Sequence, residues 1–271
     1  YTLVASYLGY ETVQVEVKVN GDMELNLELK QSSQYLDAVV VSSTRASSRM
    51  PIAQTTLNRQ ELKQANTGGD TPYLLEMLPS VVVSSESGIG IGNTAFRIRG
   101  TDPTRINVTI NGVPLNDAES QGVYWVDLPD FAASVDNVQV QRGVGTSTNG
   151  AAAFGATVNF QTTTLTPEPY AAVDLLGGSY NTWKTSARIA TGLMKNGFSM
   201  EGRFSQLHSD GYIERANSDH RSMFVTAAWN GERSLVRANI IHGEEHTGIT
   251  WEGTPDYMMS TNRRYNPAGE Y

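Results

Sequence analysis

The stretch that organises this chain covers residues 95–155 and reads AFRIRGTDPTRINVTINGVPLNDAESQGVYWVDLPDFAASVDNVQVQRGVGTSTNGAAAFG. Runs in which apolar and polar residues alternate (96–99, 106–110 and 138–141) are separated by Gly, Pro, Asn and Asp, which predicts short strands joined by turns. The pair Asn111-Gly112 is the strongest turn signal among them. Strands of this kind bury one face, so we expect a small sheet with other elements packed over it.

Three arginines, Arg97, Arg99 and Arg142, lie within these predicted strands or at their ends. A guanidinium in such a position needs a carboxylate or carbonyl partner once water is excluded from it. We therefore expect each of the three to make a specific polar contact.

The composition limits the classes of function. The chain has 271 residues, a formal net charge of −8 and no cysteine. The absence of cysteine excludes a disulfide scaffold, cysteine catalysis and a thiolate metal site. The acidic balance argues against nucleic acid as a partner. No run of about 18 apolar residues occurs, so a membrane role would have to use strands rather than helices.

The polar residues predict neither an enzyme nor a metal site. His242 and His246 are four residues apart, but Gly243 stands where a zinc-protease helix would carry Glu. On a strand the two imidazoles would share a face and lie about 13 Å apart, which is too far for one metal ion. Both histidines are interpreted as facing the lumen or the rim of a membrane barrel built from strands. The neighbours Glu244 and Glu245 point to opposite faces, which defeats paired acid–base chemistry. No cofactor is expected.

The chain changes character at Tyr170, where five longer candidate strands begin: residues 170–176, 182–191, 198–208, 222–230 and 235–246. Most have about the 9 to 11 residues that a tilted membrane strand requires. In the second, Trp183, Ala187 and Ile189 share a face opposite Lys184, Ser186 and Arg188. In the third, Phe198, Met200 and Phe204 oppose Glu201 and Arg203. An apolar face outside, a polar face inside, and turns that alternate between short and long are typical of outer-membrane barrels.

Five strands are too few to close such a barrel, and an open edge would expose unpaired backbone groups to lipid. We therefore expect this chain to be the N-terminal part of a longer protein. The alternative is a soluble antiparallel sandwich with aromatic loops.

The N-terminal third contains several smaller signals. Alternation on both sides of residues 20–22 predicts a hairpin, the end of a β-sandwich over residues 1–30. Residues 31–34 form a polar linker. The β-prone run 36–42 is either a first buried strand or an extended segment that adds to the sheet edge of a partner.

Two short helices are expected next. The first covers residues 58–65, with Asn58 and Glu61 in a capping-box pattern, and the second covers residues 71–78, with Thr71 as a cap and Pro79 after its end. Residues 81–83 are predicted to form a buried strand, and residues 84–93 a Gly- and Ser-rich loop.

Four blocks resemble the plug domain of TonB-dependent outer-membrane transporters, in the order and at the spacing of that family: FRIRG (96–100), INGVP (110–114), VQVQRG (138–143) and GAAAFGATVN (150–159). The SYLGY motif (6–10) is similar to the end of a carboxypeptidase-regulatory-like domain. The resemblance implies a mixed fold: the end of that sandwich over residues 1–30, a linker and Ton box over 31–45, and the plug over 46–165. The first strands, about five, of a barrel of roughly 22 would then occupy residues 166–271.

The resemblance also implies roles for particular residues. The Ton box, which pairs with a TonB-type periplasmic energy-coupling protein, would consist of Asp37, Ala38, Val39, Val40 and Val41. Arg99 and Arg142 match arginines that latch the plug to carboxylates of the barrel wall, with Arg97 as a further candidate. Glu201 is the one lumen-facing carboxylate that the sequence offers them here. Ligand contacts are expected from Ser87, Gly90, Asn93, Asn116, Tyr124, Trp125 and Trp251, although Tyr124 and Trp125 also suit packing between plug and barrel.

The function implied is energy-coupled import of a scarce nutrient, such as a ferric siderophore, haem or cobalamin, across the outer membrane of a Gram-negative bacterium of the Bacteroidetes type. Outer-membrane lipid, a small-molecule nutrient and the energy-coupling protein are the expected partners, and a surface lipoprotein is a further candidate. Two alternatives stay open: a glycan or peptide importer of the same family, and a non-transporting plugged barrel that acts as an adhesin or assembly component.

Overall fold

The computed structural model describes residues 1–5, 7, 10, 12–19, 21–29, 45–46, 50–145, 153–231 and 234–268. These residues form one α-helix, α1 (Arg59–Ala65), and the following strands: β1 (Thr2–Ala5), β2 (Val13–Glu16), β3 (Gln54–Leu57), β4 (Val81–Ser85), β5 (Thr94–Ile98), β6 (Ile106–Ile110), β7 (Val113–Pro114), β8 (Val135–Arg142), β9 (Ala156–Thr162), β10 (Tyr170–Gly177), β11 (Trp183–Ala190), β12 (Phe198–Ser209), β13 (Ser218–Asn230) and β14 (Leu235–Thr247). Short 3₁₀ helices lie at Thr71–Leu75, Pro103–Arg105, Trp125–Asp127, Phe131–Ser134 and Asp256–Met258.

At the N-terminus, β1 and β2 pair as an antiparallel ribbon with Thr2 opposite Glu16. The predicted hairpin around residues 20–22 is wrong, because residues 22–29 form no strand and β2 pairs with β1 instead. The apolar side chains of Met23 and Leu25 are exposed, so burial of apolar surface does not stabilise strand pairing there. The predicted linker (31–34) and Ton box (37–41) lie outside the described residues.

We call β3–β9 together with α1 the plug. Its main sheet has the strand order β3-β8-β9-β6-β7, in which β6 and β9 are parallel and the other neighbours antiparallel. Every residue of β9 is buried. Phe160 of β9 packs against Trp125 and Phe131 with ring centroids 5.8 and 6.0 Å apart, which anchors both 3₁₀ helices over the sheet.

The local signals in the plug have mixed outcomes. The helix at residues 59–65 and its capping box are confirmed: Asn58 Oδ1 accepts hydrogen bonds from the amides of Gln60 and Glu61, and Glu61 Oε2 accepts from the amide of Asn58. The predicted second helix is a 3₁₀ helix, Thr71–Leu75, and the position before it is taken by Asp70, not Thr71. Pro72 lies at the start of this segment and Pro79 follows it, so there is room for little more than one helical turn between them.

The hairpin of β4 and β5 departs from the predicted buried strand at residues 81–83. Val82 is 66% exposed, and only its neighbours Val81 and Val83 turn inward. Val82 lies opposite Arg97 in the register, so one face of this hairpin is polar and open. The turn at Asn111-Gly112 forms as predicted, with both residues at positive φ between β6 and β7.

We call the antiparallel meander β10–β14 the wall sheet. Its strands match the five predicted ones, although β13 begins at Ser218 rather than at Ser222. The polarity of a soluble sheet is inverted here. The face against the plug buries polar side chains (Lys184, Ser186, Glu201, Arg203, Ser222 and Thr226), whereas the opposite face exposes large apolar ones (Val173, Leu175, Ile189, Phe204 and Ile240). Within the described ranges no second sheet covers that apolar face, so the sandwich alternative is wrong and the start of a barrel wall is supported.

The connections between the wall strands also alternate as predicted. Residues 191–197 make a short turn at one end, where the amide of Gly231 after β13 also donates to the carbonyl of Ser234 before β14, and residues 210–217 and 248–268 make long loops at the other end. The loop 84–93 of the plug reaches the long-loop end, where the amides of Tyr212 and Ile213 donate to the carbonyl of Ser87 at 3.2 Å each. No helix in the part of the chain that the structure describes is long and apolar enough to cross a bilayer.

Candidate functional site

The plug is fixed to the wall sheet by a buried carboxylate. Asp130 adopts a left-handed backbone conformation (φ 52°) just before the 3₁₀ helix Phe131–Ser134, which turns its side chain onto the inner face of the wall. Oδ1 pairs with Nζ of Lys184, and Oδ2 lies 2.6 Å from Nη1 of Arg203. The hydroxyl of Ser205 donates to Oδ2 at 2.5 Å. We call these four residues the anchor cluster.

The charges around Asp130 decide its ionisation. Burial by itself would raise the pKa of this carboxyl, but the positive charges of Lys184 and then of Arg203 outweigh burial and hold the pKa below its usual value. The group is therefore an ionised carboxylate between two cations. Removing it would leave two buried positive charges without a partner.

Arginines of the wall also donate to one side-chain hydroxyl and two backbone carbonyls on the plug side. Arg203 Nε donates to Ser134 Oγ at 2.8 Å, and Arg188 Nη2 donates to the carbonyl of Ala133 at 2.7 Å. Further along the sheet, Arg237 Nη2 donates to the carbonyl of Thr163 at 2.6 Å. These hydrogen bonds from charged donors fix two segments of the plug, one before β8 and one after β9.

A second buried cluster lies nearer the long-loop end. Asp70 of the plug accepts from Thr94 Oγ1 at 3.1 Å. His220 and Glu245, opposite each other on β13 and β14, come within 3.3 Å and are almost fully buried. Burial, reinforced by the negative charge of Glu245 and opposed by that of His220, raises the pKa of Asp70 to about 7. Asp70 therefore titrates near neutral pH at the boundary between plug and wall.

Of the two positions given above for the histidine pair, lumen or rim, the structure supports the rim. Inward and outward positions alternate along β14, so that Glu245 points inward and His242 points outward with Ile240. Both His242 and His246 therefore lie on the outer face towards the rim rather than in the lumen. Among the residues that the structure describes, no group of three or more His, Asp or Glu side chains is arranged to hold a metal ion.

Several candidate ligand contacts turn out to be internal to the plug. Ser87 is buried and its hydroxyl donates to the carbonyl of Ile91, while Gly90 is buried against the ring of Tyr73. Asn116 accepts from the amide of Val108 and donates to two carbonyls, which fixes its own loop. Because their polar groups are used in this way, Ser87, Gly90 and Asn116 are poorly placed to meet a ligand.

The aromatic candidates divide into two kinds. Trp125 is only 4% exposed and packs between Phe96 and Phe160, so its ring is not accessible to a ligand and its aromatic contacts lie within the plug. Tyr124 and Trp251 are 55% and 70% exposed. Asn93 is partly accessible and donates to Glu86 at 2.8 Å. Tyr124, Trp251 and Asn93 remain the accessible part of the predicted set.

Comparison with known families identifies the architecture. The family model described as TonB-dependent Receptor Plug Domain matches residues 46–157 of this chain. That range contains the plug sheet except residues 158–162 of β9, and it includes Asp130 of the anchor cluster. Residues 46–157 are thus similar to the plug domain of TonB-dependent receptors.

Individual relatives agree with this assignment. The chain is 26% identical over 185 residues to the vitamin B12 transporter BtuB of Vibrio vulnificus, covering 67% of this chain and 29% of that protein. The structure of P. aeruginosa FpvA bound to a heterologous pyoverdine superposes with a TM-score of 0.62 at 17% identity, covering 74% of this chain and 26% of FpvA. The copper transporter OprC gives a TM-score of 0.61 at 19% identity, covering 75% of this chain and 33% of OprC.

The chain thus spans about a quarter to a third of the length of these relatives. The two structural likenesses concern the fold alone. Each of these relatives is named as a transporter or as a protein bound to a pyoverdine.

The latch predicted from the family is not formed within the described wall. The prediction put cations on the plug and carboxylates on the wall, whereas the anchor cluster has a plug carboxylate and wall cations. Arg142 instead donates to the carbonyl of Pro79 at 3.0 Å and to Thr55 at 2.6 Å, and Arg97 lies 3.8 Å from exposed Asp102. Glu201 is buried on the inner face as predicted, but its hydrogen-bond partner is Tyr170. A role for Arg97, Arg99 and Arg142 towards further wall strands stays a prediction.

Proposed function

We propose that this receptor imports a scarce nutrient across the outer membrane of a Gram-negative bacterium, driven by a TonB-type energy-coupling protein. The similarity of residues 46–157 to the plug domain of TonB-dependent receptors supports this, and so do relatives named as a vitamin B12 transporter, a pyoverdine-bound receptor and a copper transporter. The cargo class proposed is a small nutrient complex such as a ferric siderophore, haem or cobalamin.

One observation carries the proposal. A folded plug is held by buried charges on the polar face of a sheet whose opposite face is apolar and exposed. The apolar face suits hydrocarbon, in which a strand exposes apolar side chains outward and keeps polar ones inward. A plug held inside such a wall blocks passage through the barrel. Transport then requires a signal that moves the plug.

The anchor cluster suggests how opening works. A buried ion pair contributes little net stability, yet breaking it by removing one partner costs about 3–5 kcal/mol. Such a contact holds until a mechanical pull moves the whole segment, and it re-forms when the pull ends. We assign the pulled segment to residues 37–41, as the sequence predicts for the Ton box.

Cargo is proposed to bind at the long-loop end. The exposed rings of Tyr124 and Trp251 offer flat apolar faces for a chelate or macrocycle, and Asn93 offers a partly accessible amide. Origin in Bacteroidetes and a surface lipoprotein partner stay predictions from the sequence.

The test is uptake by living cells. A strain that lacks the full-length gene is compared with its parent for uptake of labelled cobalamin, a ferric siderophore and haem, each with and without a protonophore. We expect the deletion to abolish energy-dependent uptake of one cargo and to spare the others. Unchanged uptake of every nutrient in a broad panel, with loss of surface adhesion instead, would show that the receptor is a non-transporting plugged barrel.

A further inference from the structure

A crevice of about 490 Å³ separates α1 and the segment 132–136 of the plug from the first two strands of the wall sheet. Small-molecule sites typically occupy roughly 300–1,000 Å³, so the space is large enough for a solute. Its upper end is closed where the side chain of Leu176 rests on Gly68. We call this space the basic crevice, after its lining by Arg59, Lys63, Lys184 and Arg188.

Two hydrogen-bond donors in the basic crevice have no partner. Ser186 is only 4% exposed, and its Oγ makes no hydrogen bond to any described group. Arg188 lies two residues further along the same inner face, and its buried Nε likewise has no acceptor. Nη2 of Arg188 is tied to the carbonyl of Ala133, which fixes the guanidinium and aims the free N–H. Leaving such groups unpaired is costly, so both donors are available to an acceptor that enters the crevice, although Glu201 Oε2, near Arg188, is also buried without a hydrogen-bond partner.

The charge of the lining says what kind of acceptor fits. Four basic residues line the basic crevice, against Asp136 and Asp174. Asp136 is paired with Arg59 at 2.9 Å, and Lys184 is used in the anchor cluster. The remaining cations are Lys63 on the plug and Arg188 on the wall, and the remaining carboxylate of the lining is the exposed Asp174.

The lower end of the basic crevice is less basic, because Glu201 and the hydroxyl of Tyr170 lie near Arg188. Counting Arg59, Lys63, Lys184, Arg188 and Arg203 against Asp130, Asp136, Asp174 and Glu201 still leaves one positive charge, five minus four. The surplus lies in the anchor cluster, where Lys184 and Arg203 share the single carboxylate of Asp130.

We propose that the basic crevice is a binding site for an oxyanion group, a phosphate or a carboxylate, bridged between plug and wall. One oxygen would accept from Ser186 Oγ and another from Arg188 Nε, and Lys63 would complete the site from the plug side. Hydrogen bonds to an ionised acceptor are stronger than those to water, which is the competing occupant. A bound oxyanion would therefore tighten the contact between plug and wall beside the anchor cluster.

The experiment uses the full-length receptor in detergent at constant ionic strength. Inorganic phosphate replaces chloride in one titration and acetate replaces chloride in another, while the melting temperature and the hydrogen exchange of α1 are followed. We expect phosphate or acetate to raise the melting temperature and to slow exchange in α1, and the anion that acts at the lower concentration identifies the preferred class.

Three variants separate the site from a general salt effect. Arg188→Gln and Ser186→Ala remove the two donors, and each is expected to weaken anion binding by roughly tenfold or more. Arg221→Gln removes an equal charge from the outer face of β13 and should bind as the wild type does. Equal effects of phosphate, acetate and chloride, or undiminished binding in both donor variants, would overturn the proposal. Because binding is measured without transport, failure of the import proposal would leave this result standing.

Discussion

Oδ2 of Asp130 in the plug lies 2.6 Å from Nη1 of Arg203 in the wall sheet, and both side chains are 3% exposed. The two residues are 73 positions apart in the chain and belong to different layers of the structure. Lys184 shares the same carboxylate, so one negative charge compensates two positive ones. This contact is the main electrostatic connection between plug and wall in the described part of the receptor.

Replacing Asp130 by Asn should destabilise the plug against the wall. The change leaves Lys184 and Arg203 buried without a counter-charge, which we expect to lower the free energy of unfolding by about 3–5 kcal/mol. Denaturant unfolding of the full-length receptor measures this, and entry of a bulky antibiotic into cells reports a leaking plug. Asp102→Asn is the control, because its partner Arg97 is 3.8 Å away and exposed, so little change in stability is expected. Equal stability of the two variants would contradict the anchoring role.

Local chemistry explains which elements were predictable. The wall strands carry their period-2 alternation along their whole length, and the capping box of Asn58 and Glu61 depends on residues three positions apart. The blocks that resemble the plug family are also short contiguous segments. Each of these signals lies within about a dozen neighbouring residues, so it can be recognised without knowledge of tertiary contacts.

The anchor cluster has no comparable signal. Asp130 has a left-handed backbone conformation before the 3₁₀ helix Phe131–Ser134, and its partners lie 54 and 73 residues further on. Alternation does mark Lys184 and Arg203 as inward-facing, but it does not say which plug residue meets them. His220 was missed for a simpler reason: β13 starts four residues earlier than predicted, which places this histidine in the strand rather than in a loop.

Stability should depend on pH through Asp70. Burial raises the pKa of this carboxyl from 3.8 to about 7, so the folded receptor holds a proton that the unfolded chain has lost. The stabilisation is fully present below pH 4 and is lost as pH rises towards 7, by about 4 kcal/mol at roughly 1.4 kcal/mol per pKa unit. Asp70→Asn should flatten this part of the curve while Thr94 still has an acceptor.

The measurement for Asp70 is the melting temperature of the full-length receptor from pH 4 to pH 8. Thr94, His220, Glu245 and Asp130 are the groups that influence the carboxyl and are left unchanged. Asp117→Asn, at an exposed loop position with a lowered pKa, serves as the matched control. A profile that is the same in wild type and in Asp70→Asn would mean that Asp70 is not the titrating group.

The neighbours Tyr124 and Trp125 should respond in opposite ways to truncation. Trp125→Ala opens a cavity between Phe96 and Phe160 and is expected to cost about 3–5 kcal/mol of unfolding free energy. Tyr124→Ala removes an exposed ring and should change stability by about 0.5 kcal/mol or less, while weakening cargo binding. Unfolding curves of both variants measure the loss of stability, and cargo titrations of both measure the loss of binding. Strong destabilisation by Tyr124→Ala, with cargo binding unaffected, would reverse the assignment.

Deleting residues 37–41 should abolish uptake while leaving cargo binding to whole cells intact. The proposed Ton box transmits force and does not touch cargo, so the two readouts are expected to separate. Labelled cargo that stays at the surface and is released by washing measures binding, and accumulation inside the cell measures uptake. A deletion of residues 24–28, of the same length but upstream of the proposed box, is the control. Normal accumulation after deletion of residues 37–41 would remove them from the role.

The lipid-facing assignment of the wall sheet predicts a gradient of cost along β12. Phe204 is exposed on the outer face amid apolar neighbours, and Gln206 lies one outward position closer to the loops, opposite Arg221. Phe204→Arg should reduce the stability of the receptor folded in phospholipid vesicles by about 2–4 kcal/mol. Gln206→Arg should reduce it by only about 0–1 kcal/mol, because an arginine near the interface reaches the headgroups. Urea titrations of the full-length receptor in vesicles measure both. On a face in contact with water, an arginine at either position would be tolerated equally, so equal and small costs would show that the sheet does not face lipid.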